Sequence, residues 1–200
     1  MNPKTPINRC AWCGDNALYQ DYHDSEWGRP CYDERTLFEF ILLEGAQAGL
    51  SWITILRRRE GYREAFADYD LNKIANFDDK KIAEIKHQGK VIRHEGKIRS
   101  AVGNAQAAIK LCEEYNSMAN YFWGFVDGTP IQGNRKSLKN VPVETELSCQ
   151  ISKDMKRRGF KFFGPTICYA YMQAIGLVND HLIDCFVHED CKNLGKKISR

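Results

Sequence analysis

Apolar residues recur at intervals of three and four along most of this chain, which is the spacing of an amphipathic helix. The clearest case is the segment 97–114. Its apolar face consists of Ile98, Ala101, Val102, Ala105, Ile109 and Cys112. No stretch of the sequence keeps a two-residue alternation, and no internal repeat is visible. We therefore predict an all-α fold.

The same spacing, together with capping and breaking residues, predicts the other helices. One begins at Asp33 or Thr36, either of which can cap it, and runs to about Glu44. Further helices are predicted at 46–59, 72–75, 79–86, 142–158, 166–175 and from about Asn179. The segment 1–32 reads as irregular, and 132–140 is the most loop-like interior segment, where a division of the chain could fall.

Length and composition place the chain among globular proteins. It has 200 residues, of which 43% are hydrophobic and 28% charged. No apolar run approaches the 18 or so residues that a membrane span needs, and the first residues lack the apolar core of a signal peptide. We expect a cytoplasmic protein that does not act at a membrane and is a monomer.

The net charge of +3 is too small to indicate a nucleic-acid partner by itself. The basic residues nevertheless cluster at 57–59, 93–99, 135–139 and 156–161. Such clusters can contact phosphates, although a solvated helix face is the commoner meaning of any single run.

The stretch 43–56 combines a carboxylate, two glycines and a tryptophan. Glu44 ends an apolar run that starts at Leu37, so its side chain should point towards the core. Gly45 and Gly49 allow a backbone to approach a ligand closely, and Trp52 supplies a flat stacking surface. The pattern predicts a ligand pocket. The alternative is that Glu44 caps a helix end or pairs with an arginine.

Cysteine and histidine residues near both ends of the chain indicate a metal site. His181 and Cys185 are four residues apart, so a helix that starts near Asn179 would place them on one face. Cys10 and His23 could supply two more ligands. Two thiolates and two imidazoles favour zinc, and four protein ligands make its role structural.

Spacing alone does not select the four ligands. Cys13, His188 and Cys191 are further candidates, and a histidine and a cysteine can also lie in a core without any metal. The eight cysteines, in a chain without a secretory signal, are expected to be reduced thiols rather than disulfides.

The segment 156–166 reads as a short connection between two helices, with Gly159 and Gly164 at its ends. A turn of this kind that leads into a helix N-terminus presents free backbone N–H groups to a DNA phosphate. The alternative is a plain helix–helix connection. The residues predicted to form this phosphate site are Gly159, Phe160, Lys161, Gly164 and Thr166.

Taken together, these motifs resemble those of the DNA-3-methyladenine glycosylase I family, in unchanged order from about residue 8 to 187. The matching motifs are Cys10-x-Trp12, Tyr22-His23-Asp24-x-Glu26-Trp27-Gly28, Leu43-Glu44-Gly45, Gln47-Ala48-Gly49-Leu50-Ser51-Trp52, Ile92-Arg93-His94 with Lys97-Ile98, Arg158-Gly159-Phe160-Lys161-Phe162, and Gly176-Leu177-Val178-Asn179-Asp180-His181.

The resemblance implies a helix-hairpin-helix glycosylase fold in which two helical lobes enclose a base pocket. Residues 1–200 would form a single unit, with one lobe from about 1–32 and 177–200 and a helical lobe with the hairpin from about 33–176. A structural Zn²⁺, one per chain, would join the terminal segments. Carried across, its ligands fall on Cys10, His23, His181 and Cys185.

The reaction implied is hydrolysis of the N-glycosidic bond of 3-methyladenine in double-stranded DNA, which leaves an abasic site. The lesion must first leave the base stack. The implied base-binding residues are Glu44, Tyr22, Trp52, Trp12, Trp27 and Tyr19. Glu44 is the implied catalytic residue, and as an anion it would favour the cationic methylated purine over adenine, as would stacking on the aromatic rings.

Other members of the wider superfamily use an aspartate near the position of Asn179 and Asp180. We expect Asp180 to cap a helix instead, so that water acts in a monofunctional enzyme. Gly49 and Leu50 resemble the DNA wedge that fills the gap left by the flipped nucleotide. Two other classes stay open at this point: a lesion-binding module without activity, and a zinc hydrolase with an open metal position.

Overall fold

The structure is a computed structural model of the protein, and it describes residues 7–47 and 49–198. The described part is mostly helical. Its α-helices are α1 Ala17–Ser25, α2 Glu34–Gln47, α3 Trp52–Leu56, α4 Arg59–Ala65, α5 Leu71–Ala75, α6 Asp79–Gln88, α7 Glu95–Tyr115, α8 Met118–Gly124, α9 Glu146–Arg157, α10 Pro165–Ala174 and α11 His188–Ile198. Short 3₁₀ turns lie at Ala11–Cys13, Ala67–Tyr69 and Leu138–Asn140.

The helix α2 is the centre of the fold. Every residue from Leu37 to Ala46 is buried, which explains why its sequence is apolar on all sides. It begins where predicted, because Asp33 Oδ1 accepts a hydrogen bond of 2.8 Å from the N–H of Thr36. The helices α7, α8 and α10 pack around it. Since Glu44 lies near the buried end of α2, the core itself fixes its backbone.

The long helix α7 confirms the clearest prediction from the sequence. It begins at Glu95, where His94 Nδ1 accepts the N–H of Lys97 at 3.2 Å, and ends at Tyr115. The helices α5 and α6 pack on it, at nearly the ranges predicted for them.

Two predicted helix ranges are wrong. The segment 46–59 contains the end of α2, then α3, and only the first residue of α4. Its residue 48 lies outside the described residues. The helix predicted at 142–158 begins only at Glu146, because Thr145 and Ser148 form a capping box: the Ser148 N–H donates to Thr145 Oγ1, and the Thr145 N–H donates to Ser148 Oγ.

The prediction that 1–32 is irregular is wrong at α1. Asn16 caps this helix by accepting the N–H of Tyr19, and the helix carries Tyr22 and His23 on its buried side. Residues 1–6 of that segment lie outside the described residues. The helices α8 and α11 also lie where no helix was predicted.

The helix predicted from Asn179 is absent, and a short strand takes its place. The strand β1 Ile131–Gln132 pairs in parallel with β2 Val178–Asn179, with Ile131 opposite Val178. Asn179 also donates its side-chain amide to Gln132 Oε1 at 2.9 Å and to the His188 carbonyl at 3.1 Å. Asp180 therefore caps no helix, which corrects the expectation for that residue.

Within the described part of the chain, no helix is both long enough and apolar enough to cross a membrane.

Candidate active site and metal centre

A cavity of about 230 Å³ lies between α1, the end of α2, α10 and the segment 133–145. All six residues that the sequence analysis assigned to a base pocket line it, so the structure brings them together. Its lining residues are Trp12, Tyr19, Tyr22, Trp27, Glu44, Gln47, Trp52, Leu138, Val141, Ala170, Gln173 and Asp180. The cavity has the character of a small-molecule site, with aromatic walls and few polar groups.

Glu44 is a buried carboxyl group that points into the cavity and lacks a hydrogen-bond partner for one oxygen among the described residues. Its side chain is 3% exposed, and Oε2 has no hydrogen-bond partner among the described residues. Burial raises its pKa to about 8. Neither alternative for Glu44, a helix cap or an ion pair with arginine, is seen among the described contacts. With this pKa, the carboxyl of Glu44 is mostly protonated at pH 7 in the protein without a bound base.

Aromatic rings form the walls around Glu44. The ring centroids of Tyr22 and Trp52 are 5.4 Å apart, and Trp52 lies nearly parallel to Phe40 at 6.4 Å. Trp12 meets Trp27 edge to face at 4.9 Å. The indole Nε1 atoms of Trp12 and Trp52 are buried without an acceptor. The walls therefore offer π faces and two unpaired N–H donors to whatever enters.

A buried arginine ties the aromatic wall on α1 to the floor on α2. The guanidinium of Arg59 donates two hydrogen bonds to Glu39, of 2.8 and 2.9 Å, and its Nη1 lies 2.7 Å from Glu26 Oε1. It also lies over the ring of Phe40, 5.5 Å from the centroid. Burial opposes the charge of Arg59, but the bonds to Glu39 and Glu26 outweigh this and raise its pKa.

Six of the lining residues were not predicted from the sequence to belong to the pocket. Gln47 belongs to the motif 47–52 and Asp180 to the motif 176–181, so the resemblance to the family could have predicted both. Leu138, Val141, Ala170 and Gln173 gave no such signal, since they come from a loop and from a helix distant in sequence. Asp180 is buried and accepts from Arg135 at 2.9 Å, from Tyr169 and from Gln173 at 2.9 Å. Three donors occupy its oxygens.

The four predicted metal ligands meet beside the aromatic wall. Cys10, His23, His181 and Cys185 are all buried, and their ligand atoms lie within 4.8 Å of one another. Cys185 Sγ is 3.5 Å from His23 Nε2 and 3.6 Å from His181 Nδ1, while Cys10 Sγ is 3.7 Å from the same His181 atom. The helical explanation of the His181–Cys185 spacing is wrong, because turns rather than a helix carry them.

The other candidate ligands lie outside this group. The Cys13 thiol donates to the Cys10 carbonyl at 3.2 Å, and His188 Nδ1 lies 3.0 Å from the His181 carbonyl. Cys191 is buried but is not part of the group.

The donor set fits a metal that prefers sulfur and nitrogen. A hydrogen bond from the Cys10 thiol, together with His181 and His23, lowers the pKa of Cys185, whereas the pKa of Cys10 is raised. Cys185 is therefore the thiol of this pair that loses its proton more readily. A bound cation would also favour the ionised form of Cys10. We conclude that the group could hold a metal ion.

Contacts behind the ligands orient both imidazoles. His23 Nδ1 lies 2.7 Å from Asp24 Oδ1, and Arg9 donates to Oδ2 of the same carboxylate from Nε at 3.0 Å and from Nη2 at 2.7 Å. His181 Nε2 lies 2.8 Å from the Trp27 carbonyl. Gly28 has a φ of +77°, and a Cβ there would lie 2.9 Å from His181 Cδ2, so only glycine fits. The metal group and the pocket therefore share the backbone of Trp27.

The 159–164 connection joins α9 to α10, as predicted, and packs on α7. Phe160 and Phe163 are buried, and Gly159 takes a φ of +99°. The N–H of Lys161 donates to Asn104 Oδ1 at 2.8 Å, and the Lys161 carbonyl accepts from Asn104 Nδ2 at 3.2 Å.

Two of the residues predicted to form the phosphate site, Phe160 and Lys161, therefore use their backbone N–H groups within the fold. The Phe160 N–H is also used, by the Met155 carbonyl at 3.0 Å. At the start of α10, Gly164 is the N-cap and Pro165, which has no N–H, is the first residue, so Thr166 supplies an N–H without a partner inside the helix.

The two glycines of the stretch 43–56 have different surroundings. A Cβ on Gly45 would lie 3.1 Å from the carbonyl oxygen of Phe162, so this glycine serves close packing of α2 on the 159–164 connection. The expectation that Gly45 lets the backbone approach a ligand is therefore wrong, because the space beside it is filled by Phe162. Gly49 has a φ of +81° with nothing within 4 Å, and the next residue, Leu50, is 40% exposed. This leaves an exposed apolar side chain on a turn at the pocket end of α2.

The sequence matches a known protein family and two well-covered relatives. The sequence model of the family described as methyladenine glycosylase matches residues 12–188. DNA-3-methyladenine glycosylase of Haemophilus influenzae is 47% identical over 177 residues, covering 88% of this chain and 96% of the relative. DNA-3-methyladenine glycosylase 1 of Escherichia coli is 44% identical over 179 residues, covering 90% and 96%.

Solved structures agree with this. A crystal structure of 3-methyladenine DNA glycosylase I has a TM-score of 0.88 at 46% identity and covers 90% of this chain and 100% of its own. A structure of the enzyme from Staphylococcus aureus, described as the basis of 3-methyladenine recognition, has a TM-score of 0.88 at 34% identity and covers 92% and 98%.

Proposed function

Since the chain belongs to the methyladenine glycosylase family, we propose that it hydrolyses the N-glycosidic bond of 3-methyladenine in alkylated DNA. The observation that carries this proposal is Glu44, a buried carboxyl with an unpartnered oxygen inside a cavity walled by aromatic rings. A purine with an exocyclic amine supplies both the donor that Glu44 lacks and a flat face for the rings.

Selection of the damaged base follows from charge. Methylation at N3 leaves the purine cationic while it is still attached to the sugar. Stacking of the cation on Tyr22 and Trp52 then gains about 0.5–2 kcal/mol over neutral adenine. A cation beside Glu44 also draws its proton off, so that the ionised carboxylate adds to the attraction in the bound state. Ordinary adenine carries no charge and gains neither contribution.

Departure of the base needs little help, because the cationic purine leaves as a neutral molecule. The bond between the sugar C1′ and the base nitrogen breaks with its electron pair going to the base. Water then adds its hydroxyl to C1′ and releases a proton, and an abasic site remains. Glu44 is the pocket's catalytic group in this scheme, because it holds the amine edge of the base while charge shifts into the ring.

Asp180 does not act as a general base in the proposed reaction. Arg135, Tyr169 and Gln173 already donate to its carboxylate, and no lysine lines the cavity. We therefore propose a monofunctional hydrolase that makes no covalent intermediate with the base or sugar.

Double-stranded DNA would contact the face that carries the pocket mouth. Leu50, exposed next to Gly49, is the proposed wedge that enters the stack after the base has flipped out. The hairpin proposal is retained in narrower form: Gly164 and Thr166 at the start of α10 offer N–H groups to a phosphate, and the Lys161 side chain adds charge.

The finer architecture is also proposed. We infer a helix-hairpin-helix arrangement around 159–164, one lobe from the terminal segments and another from about 33–176. A Zn²⁺ held by Cys10, His23, His181 and Cys185 would have a structural role, because four protein ligands leave no open position. We further propose a monomer that acts in the cytoplasm.

The direct test is release of free 3-methyladenine from duplex DNA treated with a methylating agent. We expect release by the metal-loaded protein, with abasic sites appearing in equal number. DNA binding without release would indicate a lesion-binding module instead.

Substitution Trp52→Ala should reduce release by at least about tenfold through lost stacking.

A further inference from the structure

Gln173 is one of two glutamines that line the pocket and to which the proposed reaction gives no role; the other is Gln47. It lies in the last turn of α10, half-buried, and its side chain lines the same cavity as Glu44. Its backbone is held firmly, since its carbonyl accepts the N–H of Gly28 at 3.0 Å and of Gly176 at 3.2 Å. The side chain therefore starts from a fixed point on the pocket wall.

The orientation of the Gln173 amide is set from behind. Its Nε2 donates to Asp180 Oδ2 at 2.9 Å. Asp180 is itself clamped, with Arg135 Nε at 2.9 Å from Oδ1 and the Tyr169 hydroxyl on Oδ2. A carboxylate paired with arginine only accepts hydrogen bonds, so the Gln173 NH₂ must face it. The amide carbonyl is then turned away from Asp180.

Close packing supports this arrangement. A Cβ on Gly133 would lie 2.0 Å from Asp180 Oδ1, so the carboxylate fills space that only glycine leaves at that position. No described residue donates a hydrogen bond to Gln173 Oε1. The cavity thus contains, besides the carboxyl of Glu44, an amide carbonyl whose direction is fixed by hydrogen bonds among Asp180, Arg135 and Tyr169.

We propose that Gln173 is a specificity-determining residue whose carbonyl accepts a hydrogen bond from the exocyclic amine of the flipped base. The inference rests on the proposed function and adds a reason for choosing among methylated purines. Adenine-type bases present an NH₂ donor at position 6, whereas guanine-type bases present a carbonyl acceptor there. The carboxylate of Glu44 and the amide carbonyl of Gln173 both accept hydrogen bonds, so they favour a base with an amine at position 6. A base with a carbonyl at position 6 would place its oxygen against these acceptor oxygens, which is unfavourable. Asp180 is the positioning residue.

The test is the ratio of excision efficiencies, kcat/KM, for duplexes that contain 3-methyladenine or 3-methylguanine. Gln173→Met keeps length and removes the acceptor. We expect about a 3- to 10-fold loss on 3-methyladenine, the range of one neutral hydrogen bond, with no loss on 3-methylguanine. The same substitution at Gln106, exposed on α7, is the matched control and should leave both values unchanged.

A second variant tests the orientation. Asp180→Asn can donate as well as accept, so the Gln173 amide is free to reverse, and the ratio should fall although Gln173 is intact. Metal content and thermal stability are measured beside it, because His181 is the next residue. An unchanged ratio in Gln173→Met, or an equal loss on both substrates, overturns the inference. Failure of the unaltered protein to release 3-methyladenine would instead overturn the proposed function.

Discussion

At the scale of single residues, Glu44 shows how burial sets a chemical state. It has no partner for Oε2, and burial raises its pKa from 4.5 to about 8. Between these two values the folded protein keeps the carboxyl proton while the unfolded chain loses it. The folded state then binds more protons than the unfolded state, so the free energy of unfolding falls as pH rises.

We therefore expect Glu44→Gln to stabilise the protein, by an amount that grows with pH. At pH 5 the two proteins should differ little, and the gap should widen by up to roughly 1.4 kcal/mol per pH unit until about pH 8. Urea unfolding at several pH values measures it. Glu113→Gln, on the exposed side of α7, is the control and should show no such trend. A difference in free energy of unfolding that does not widen with pH would show that Glu44 is ionised.

Glu44→Gln should also bind the base more weakly.

Leu50 supports a second prediction at this scale. It is 40% exposed and follows Gly49, on the turn at the pocket end of α2. Leu50→Ala should reduce excision from duplex DNA by about tenfold, because the gap in the stack is left unfilled, while stability and affinity for free 3-methyladenine stay unchanged. Single-turnover kinetics measure this. Ile131→Ala, equally exposed in β1, provides the comparison. An equal effect of both substitutions would argue against a wedge.

At the scale of elements, the 159–164 connection is held by one side chain from α7. Asn104, only 2% exposed, bonds both the N–H and the carbonyl of Lys161. This pairing explains why the connection keeps a defined shape although Gly159 and Phe162 both have positive φ. The start of α10 is thereby fixed relative to α7.

Asn104→Ala should lower stability by about 1 kcal/mol, since the partly buried N–H and carbonyl of Lys161 lose their partner. It should also weaken binding to undamaged duplex DNA, measured by fluorescence anisotropy, while affinity for free 3-methyladenine is retained. Asn120→Ala removes an exposed amide bond on α8 and should change neither affinity. DNA affinity that survives in Asn104→Ala would remove the connection from the DNA interface.

Elements with strong local signals were predictable from sequence, and those decided by distant partners were not. The helices α2 and α7 carry caps and apolar spacing in their own residues, so their prediction is confirmed. Val178 and Asn179 form a strand because they pair with Ile131 and Gln132, almost fifty positions earlier in the chain. Local spacing contains no information about that pairing.

At the scale of the whole molecule, the metal group joins the two ends of the described chain. Its ligand atoms come from α1 and the segment before it, and from the turns after β2. The Phe186 N–H also donates to the Asn8 carbonyl at 3.0 Å. These contacts place the aromatic wall of Trp12, Tyr22 and Trp27 against α2 and α10.

We expect Cys10→Ala and Cys185→Ala each to lose the bound metal and at least about 3 kcal/mol of stability. Cys13→Ala and Cys191→Ala remove equally buried thiols outside the group, so they should keep one metal per chain and lose only the small packing contribution of the sulfur. Metal analysis together with thermal unfolding distinguishes the two classes. Retention of metal by Cys185→Ala would show that the ligand set is different.

The pocket was predictable from sequence to the extent that its residues belong to recognisable motifs. Tyr22, Glu44 and Trp52 gave a chemical signal, and the motif resemblance placed them in one site. Gln173 gave none, because its role depends on which way Asp180 turns its amide, and only a three-dimensional arrangement contains that information. The protonation of Glu44 was likewise beyond the sequence, since it follows from how completely the fold excludes water around it.

The junction of the two ends also determines when the protein can first work during its synthesis. His23 and Cys185 are 162 positions apart, so the ribosome finishes α1 long before its partners exist. Contacts that close such a large loop form late, after helices such as α7 have already folded from local signals. The wall that bears Tyr22 and Trp27 therefore reaches its place last. A nascent chain that stops before His181 contains every residue that lines the pocket, but it lacks the two metal-group residues that join α1 to the rest of the fold, so we expect its pocket to form only once His181 and Cys185 have been added.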